Sequence, residues 1–305
     1  MRWLAKVALQ RGLGLLPGQG ERLNYLFQRH LLHSLPAGEA ALRRKFARAL
    51  RHLRLYEQHG PGTPPPDAVF YEFGTGWDLS IPLSLAALGA ERQILVDIRP
   101  SVRTELVADS LATLALLSSE LEADAGRPLR PLGTSPPVST AELEPRFGIR
   151  YLAPCDARAT GLPDESVDFV SSTDVCEHVP EADLARIFGE CFRLLRPGGV
   201  LSCRIDLQDH YAYFDRSLSR YNFLRFSDRA WSLVTSPLQH QNRLRVNDYL
   251  RLVRDSGLVL VAEDPSLPAS AAGELRRVPL APRFRDGYTP EQLGVTVLSF
   301  VARKP

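Results

Sequence analysis

The run Glu72-Phe73-Gly74-Thr75-Gly76-Trp77-Asp78 sets two glycines and a hydroxyl between two acids and leads straight into an apolar stretch, DLSIPLSLAALG. Glycines in such a place let the main chain approach a ligand and adopt φ values closed to other residues. Asp97 ends the next apolar run, 25 residues past Glu72, where a carboxylate can accept the hydrogens of both ribose hydroxyls. The dinucleotide fingerprint G-x-G-x-x-G would require glycine at position 79, and the chain has Leu79, with Asp78 placing negative charge where a pyrophosphate would lie. The pattern therefore favours a nucleoside that lacks phosphates. A second group is Arg204-Ile205-Asp206-Leu207-Gln208-Asp209-His210-Tyr211, in which His210 is the leading general base and Asp206 and Asp209 are the carboxylates that could orient it. A histidine capping a loop would look the same. Asp174, Asp206 and Asp209 could also gather a divalent ion, but no spacing demands it and no metal is expected.

These residues need a scaffold that brings strand ends together. From Ala68 onward short apolar runs alternate with helix-like segments, the signature of an α/β sheet with crossover helices. Seven strands are expected, at 68–74, 93–98, 150–154, 167–173, 199–206, 258–263 and 295–302, in one mostly parallel doubly wound sheet. A long insertion, 100–149, follows the second strand, and with 207–250 it is expected to build a lid or substrate pocket. Residues 1–60 read as an N-terminal helical cap, ended by the proline-rich GPGTPPPD, and 61–305 as the main domain. In the cap, Leu42, Phe46, Leu50 and Leu53 recur at helical steps, opposite a basic face of Arg43, Arg44, Lys45, Arg48, Arg51 and Arg54. Such a face is either solvated or binds an anionic partner.

Of 305 residues, 44% are hydrophobic and 24% charged, and 37 basic against 35 acidic side chains leave a net charge of +2. Disordered and repeat architectures are excluded, and so is a global field that gathers nucleic acid. The four cysteines (Cys155, Cys176, Cys191, Cys203) show neither disulfide-framework nor zinc-site spacing, and read as reduced thiols of a cytoplasmic protein. No apolar run is long enough to span a bilayer. The first helix carries Trp3, Leu4, Val7 and Ala8 on one face, which suits packing on its own domain and also permits contact with a bilayer surface.

S-adenosylmethionine is a nucleoside ligand of the expected kind. EFGTGWD, LVDI, CDARATGLPDESVDFVSSTDVCEHVP and FRLLRPGGVLS, in this order over residues 68–206, resemble the class I S-adenosylmethionine-dependent methyltransferases, especially the type 11 and type 25 group. The resemblance implies that Gly74, Thr75, Gly76 and Trp77, opened by Glu72, wrap the methionine portion, and that Asp97 holds the ribose. It implies Ile98 on the adenine, Asp156 with Ala157 at its amino edge, and Thr173 with Asp174 along the cofactor wall. Asp78 departs from the family, where many members carry a third glycine. Asp97, Asp156 and Asp174 would also serve as caps or turn acids, and His178 as a structural histidine. The tail with Trp231, Asn242, Arg243 and Tyr249 resembles that of bacterial members, and Tyr211, Tyr213, Phe214 and Tyr221 could stack on an acceptor or form a subdomain core. The expected function is O-methylation of a bacterial small molecule or glycan intermediate, with no nucleic-acid partner. The alternatives are an RNA methyltransferase that uses the basic helix and a binding protein without turnover.

Overall fold

The computed structural model describes residues 2–14, 25, 35, 36, 38–235 and 240–305. The helical reading of residues 15–34 lies, Tyr25 apart, outside them. All seven expected strands form: β1 (Val69–Phe73), β2 (Arg92–Val96), β3 (Ile149–Leu152), β4 (Val167–Thr173), β5 (Leu195–Asp206), β6 (Val259–Ser266) and β7 (Val297–Arg303). They make one sheet in the order β3-β2-β1-β4-β5-β7-β6. The first five run parallel, and β7 lies antiparallel between β5 and β6. Of the boundaries that differ from the sequence reading, two bear on the site. Strand β2 stops at Val96, which leaves Asp97 and Ile98 beyond its end, and β5 starts at Leu195 and runs through the Gly198-Gly199 pair.

Strand order reverses between β1 and β4, and in an open α/β sheet the crevice beyond the carboxyl ends at that switch is where ligands bind. Every residue of β1 is buried, as a central parallel strand requires. Side chains alternate across it: Phe70 joins one apolar layer, and Tyr71 and Phe73 join the other.

The layer under Phe70 is built by α1-distal helices α2 (Glu39–His59), α3 (Ser80–Ala87), α4 (Thr104–Leu116), α5 (Ser118–Ala125) and α6 (Leu143–Phe147), which follow α1 (Arg2–Gly14) along the chain. Leu42, Phe46, Leu50, Leu53 and Tyr56 of α2 share this layer with Phe70, Leu83, Leu111, Phe147 and Phe169. Tyr56, Phe70 and Phe169 meet with ring centroids 5.2–5.6 Å apart. Each such pair adds about 0.5–1.5 kcal/mol beyond area burial, which binds α2 firmly to the sheet. Helices α4 to α6, within the expected insertion, likewise bury into this layer.

The opposite layer is closed by α7 (Glu181–Leu194) and by α10 (Val246–Asp255), with α8 (His210–Phe214) and α9 (Asp228–Val234) between them in sequence. A third apolar cluster gathers Tyr211, Tyr221, Phe223, Trp231 and Phe284 with Val7 and Trp3 of α1. The Trp3 ring lies 5.7 Å from Tyr211 and 6.1 Å from Phe226, so α1 packs on its own chain. The tail residues hold this subdomain in place. Arg245, wholly buried, donates to the carbonyls of Leu207, Leu293 and Val295. Asn242 donates to the carbonyls of Cys176 and Val179 and accepts from Tyr249, and Trp231 donates to the Gln241 carbonyl. All four cysteines are free thiols. Among the described residues no helix is long and apolar enough to cross a membrane.

Candidate active site

At the switch point a cavity of about 400 Å³ is lined by Glu72, Gly74, Thr75, Gly76, Trp77, Asp78 and Ile81 after β1, by Thr173, Asp174 and Val175 after β4, and by Leu35, Lys45 and Arg48. Seven of the expected cofactor residues thus come together: Glu72, Gly74, Thr75, Gly76, Trp77, Thr173 and Asp174. Gly74 and Gly76 both lie in the left-handed region, at φ +73° and +74°. The Gly74 amide donates to the Val96 carbonyl at 2.9 Å, which pins the turn against β2. Leu79, where a dinucleotide fingerprint would have glycine, is also left-handed at φ +50°. That strain, about 1–2 kcal/mol, is offset by complete burial of its side chain.

The acids of this turn have distinct tasks. Asp78, at the departure from the family, accepts from the Ser80 amide at 3.1 Å and pairs with Lys45 at 2.5 Å, so it starts α3 and anchors α2. Glu72 is buried, with the Ser171 hydroxyl 3.4 Å away, and burial pushes its carboxyl up to about 8. A raised acid favours folding fully below about pH 4.5, and the benefit is lost as pH rises through about 8, at about 1.4 kcal/mol per unit. Glu72→Gln is therefore expected to flatten the fall in melting temperature between about pH 5 and about pH 8; parallel falls in variant and native chain would show that Glu72 is already ionised.

Asp174 sits at φ +55° and is gripped from two sides, by Arg48 of α2 at 2.7 Å and by Arg204 of β5. Burial raises its carboxyl, while the two guanidinium groups oppose that shift. Beneath them His52, fully buried, bridges the Ser202 hydroxyl at 2.8 Å and the Thr173 hydroxyl at 2.9 Å. Burial pushes this imidazole down to about 3. Lys45, Arg48 and His52 fall at helical spacing on one face of α2. The sequence reading had the first two only as part of a basic face and missed His52, whose place among Ala49, Leu53 and Tyr56 was the available signal.

Other expected residues lie around rather than in this cavity. Asp97 follows β2, its amide donating to the Leu152 carbonyl and its carbonyl accepting from the Cys155 amide. Ile98 beside it is 61% exposed, an open apolar face at the carboxyl edge. Asp156 and Ala157 follow β3, but both Asp156 oxygens accept from Arg158, which also donates to Asp183 at 2.7 Å. Arg158 holds the Asp156 carboxyl below its usual range. Thus both Asp156 oxygens are already engaged by Arg158.

The candidate base group is brought together only in part. His210 Nε2 faces Asp206 at 3.4 Å, and the Tyr213 hydroxyl donates to Asp206 at 2.6 Å. Asp209 is placed elsewhere: it is buried, accepts from the Tyr211 amide and the Asn222 side chain, and caps α8. The expectation that it orients His210 is corrected accordingly, because the strand exit turns its side chain inward to satisfy the first turn of α8. Of the aromatic residues, Tyr211 and Tyr221 are core, while Tyr213 and Phe214 are exposed. His178 lies close to His210, with ring centroids 4.9 Å apart, and burial next to that neighbour lowers it to about 4.

Residues 138–203 match the family model described as a methyltransferase domain. Over that segment the chain is similar to methyltransferase domains. With that similarity come S-adenosylmethionine as cofactor and methyl transfer as activity, and the strand order is that of the class I fold. The buried hydroxyl of Thr75, which has no hydrogen-bond partner, and the two left-handed glycines facing the cavity fit a ligand held against main chain. Among solved structures, a geranyl diphosphate C-methyltransferase from Streptomyces coelicolor A3(2) is 14% identical, with 97% of this chain and 88% of that one covered at a TM-score of 0.48. A methyltransferase of Galdieria sulphuraria assigned to sarcosine and dimethylglycine is 18% identical, with 87% of each chain covered at a TM-score of 0.45. No curated protein matches the methyltransferase chain significantly in sequence.

Proposed function

We propose that this methyltransferase O-methylates a bacterial small molecule or glycan intermediate in the cytoplasm. The observation that carries the reading is the cavity at the β1–β4 switch, whose lining residue Asp174 interacts electrostatically with the His210–Asp206 pair beyond the end of β5. S-adenosylmethionine, when bound, supplies a methyl group on a positively charged sulfur. The chain's own residues do the rest. Gly74, Thr75, Gly76 and Trp77 hold the methionine portion with main chain and the unpartnered Thr75 hydroxyl, beside Glu72. Asp97 and Ile98 serve the ribose and adenine, and Asp156 with Ala157 the adenine edge once Arg158 yields. His210, held by Asp206, takes the proton of the acceptor hydroxyl as the oxygen–carbon bond forms and the sulfur–carbon bond breaks.

Residues 1–60 then act as a cap on the domain formed by 61–305, and 207–250 form the acceptor wall. The internal pairing of the basic face speaks for a small acceptor over RNA. Arg43 pairs with Glu120, Lys45 with Asp78, Arg48 with Asp174 and Arg51 with Asp264, while Arg54 donates to the Asp124 carbonyl.

The test supplies methyl-labelled donor with hydroxylated metabolites, glycans and RNA. Label in the first two classes is expected, and label confined to RNA would reverse the acceptor assignment. His210→Ala is expected to lower kcat by about 100-fold or more with donor affinity unchanged. An unaltered kcat would remove it from the reaction.

A further inference from the structure

Beside the donor cavity, Glu177, His178 and His210 each bring one ligand-type atom into a group whose members lie within 4.8 Å of one another. Glu177 is 1% exposed, and neither of its carboxylate oxygens has a hydrogen-bond partner. Burying a carboxyl group without a partner costs about 1–3 kcal/mol or more. His178 already has a partner for one ring nitrogen, whereas the buried Nε2 of His210 has no hydrogen-bond partner. His178 Nδ1 lies 2.7 Å from the His240 carbonyl, which fixes that nitrogen as the donor. His210 Nε2 faces Asp206 at 3.4 Å. A metal-binding histidine is commonly held as His178 is, with one nitrogen given to a carbonyl or carboxylate and the other lone pair turned to the ion.

We propose that Glu177, His178 and His210 form a binding site for a borderline divalent transition-metal ion such as Zn²⁺. Two imidazoles and one carboxylate suit such an ion better than Mg²⁺ or Ca²⁺, which prefer oxygen throughout. Bonds of about 2.1 Å set ligand atoms about 3.4 Å apart in a tetrahedron, so side-chain rotations on the order of 1 Å close the site and leave the fourth position open. The ion would also neutralise the buried carboxylate. The site adjoins the donor cavity through Asp174, whose carboxyl group interacts electrostatically with His210 and Glu177. Its use in catalysis rests on the transferase reading. In the loaded protein His210 is a ligand, and a hydroxyl bound at the open position would lose its proton more readily. In the metal-free protein the same imidazole remains the base.

The full chain, stripped with chelator, is titrated with Zn²⁺ by calorimetry and with Co²⁺ by visible absorption, while donor binding is measured separately. One equivalent is expected to bind, with affinity falling at least tenfold in Glu177→Gln and in His178→Ala while donor affinity is retained. Cys155→Ser, which alters the thiol least buried in the chain, is expected to bind as the native chain does. No stoichiometric binding, or binding lost in Cys155→Ser and kept in Glu177→Gln, would overturn the site. Absence of donor binding in the native chain would instead overturn the transferase reading and leave the metal result standing.

Discussion

Gly76→Ala is expected to leave a folded protein whose affinity for the methyl donor is lower by about 10- to 100-fold. An added Cβ at Gly76 meets nothing within 4 Å, yet the residue lines the cavity, so the new methyl group projects into ligand space. Overpacking a filled site by one carbon costs about 1–3 kcal/mol, and each 1.4 kcal/mol is tenfold in affinity. The φ of +74° adds strain of about 1 kcal/mol, which the fold can carry. Gly74→Ala differs in kind. There the new carbon would stand 2.5 Å from Val175 Cγ1, in the segment that follows β4, at a φ of +73°. Stability should fall first in that variant, by about 2–4 kcal/mol from the clash and the strain together. Melting temperature and donor calorimetry on both variants separate the two effects. A Gly76→Ala protein that binds donor as tightly as the native chain would move the ligand away from this turn.

Acid should unfold the protein at a milder pH than its near-neutral charge suggests. His52 is neutral in the folded state, and burial lowers it from the usual 6.5 to about 3. For a lowered base the favourable contribution is complete above about pH 6.5 and is withdrawn as pH falls toward about 3. The loss is about 1.4 kcal/mol per unit and reaches on the order of 5 kcal/mol, comparable with the whole stability of many domains. His178, lowered to about 4, acts with the same sign. The effect is large because His52 is buried, so its charged form would be cut off from water. Near-ultraviolet circular dichroism across an acid titration should show cooperative loss of packing between about pH 5 and about pH 4. Native packing retained at about pH 3 would show that His52 accepts its proton without opening the core.

The sheet was readable because each strand is announced locally. The buried strand β1 appears as a run that is apolar but for Glu72, while β4 and β7 are rich in Val, Phe and Leu, interrupted by Asp168, by serines and by Thr173. The turn Gly74–Trp77 was readable for a related reason, since only certain residues tolerate its backbone. What could not be read is how distant elements meet. Lys45 and Arg48 look like solvated charges along a helix, and only the packing of Phe46 and Ala49 on the sheet aims them at the carboxyl edge. Asp209 stands next to His210 in the chain and was grouped with it. Adjacent residues at a strand exit point in different directions, and the first turn of α8 claimed the acid. Glu177 drew no notice because a single glutamate between a cysteine and a histidine has no periodic signature. Its isolation emerges only when α10 and the Asn242 clasp close over it.

One helix reaches both sides of the cavity. Lys45 fastens to the acid that follows β1, and Arg48, one turn later, to the acid that follows β4. These two rivets hold the jaws of the crevice at a fixed gap, so the width of the donor slot is set by a segment that contributes no strand. Alterations in the amino-terminal third of the chain can therefore retune grip on the donor without touching any residue of the glycine turn.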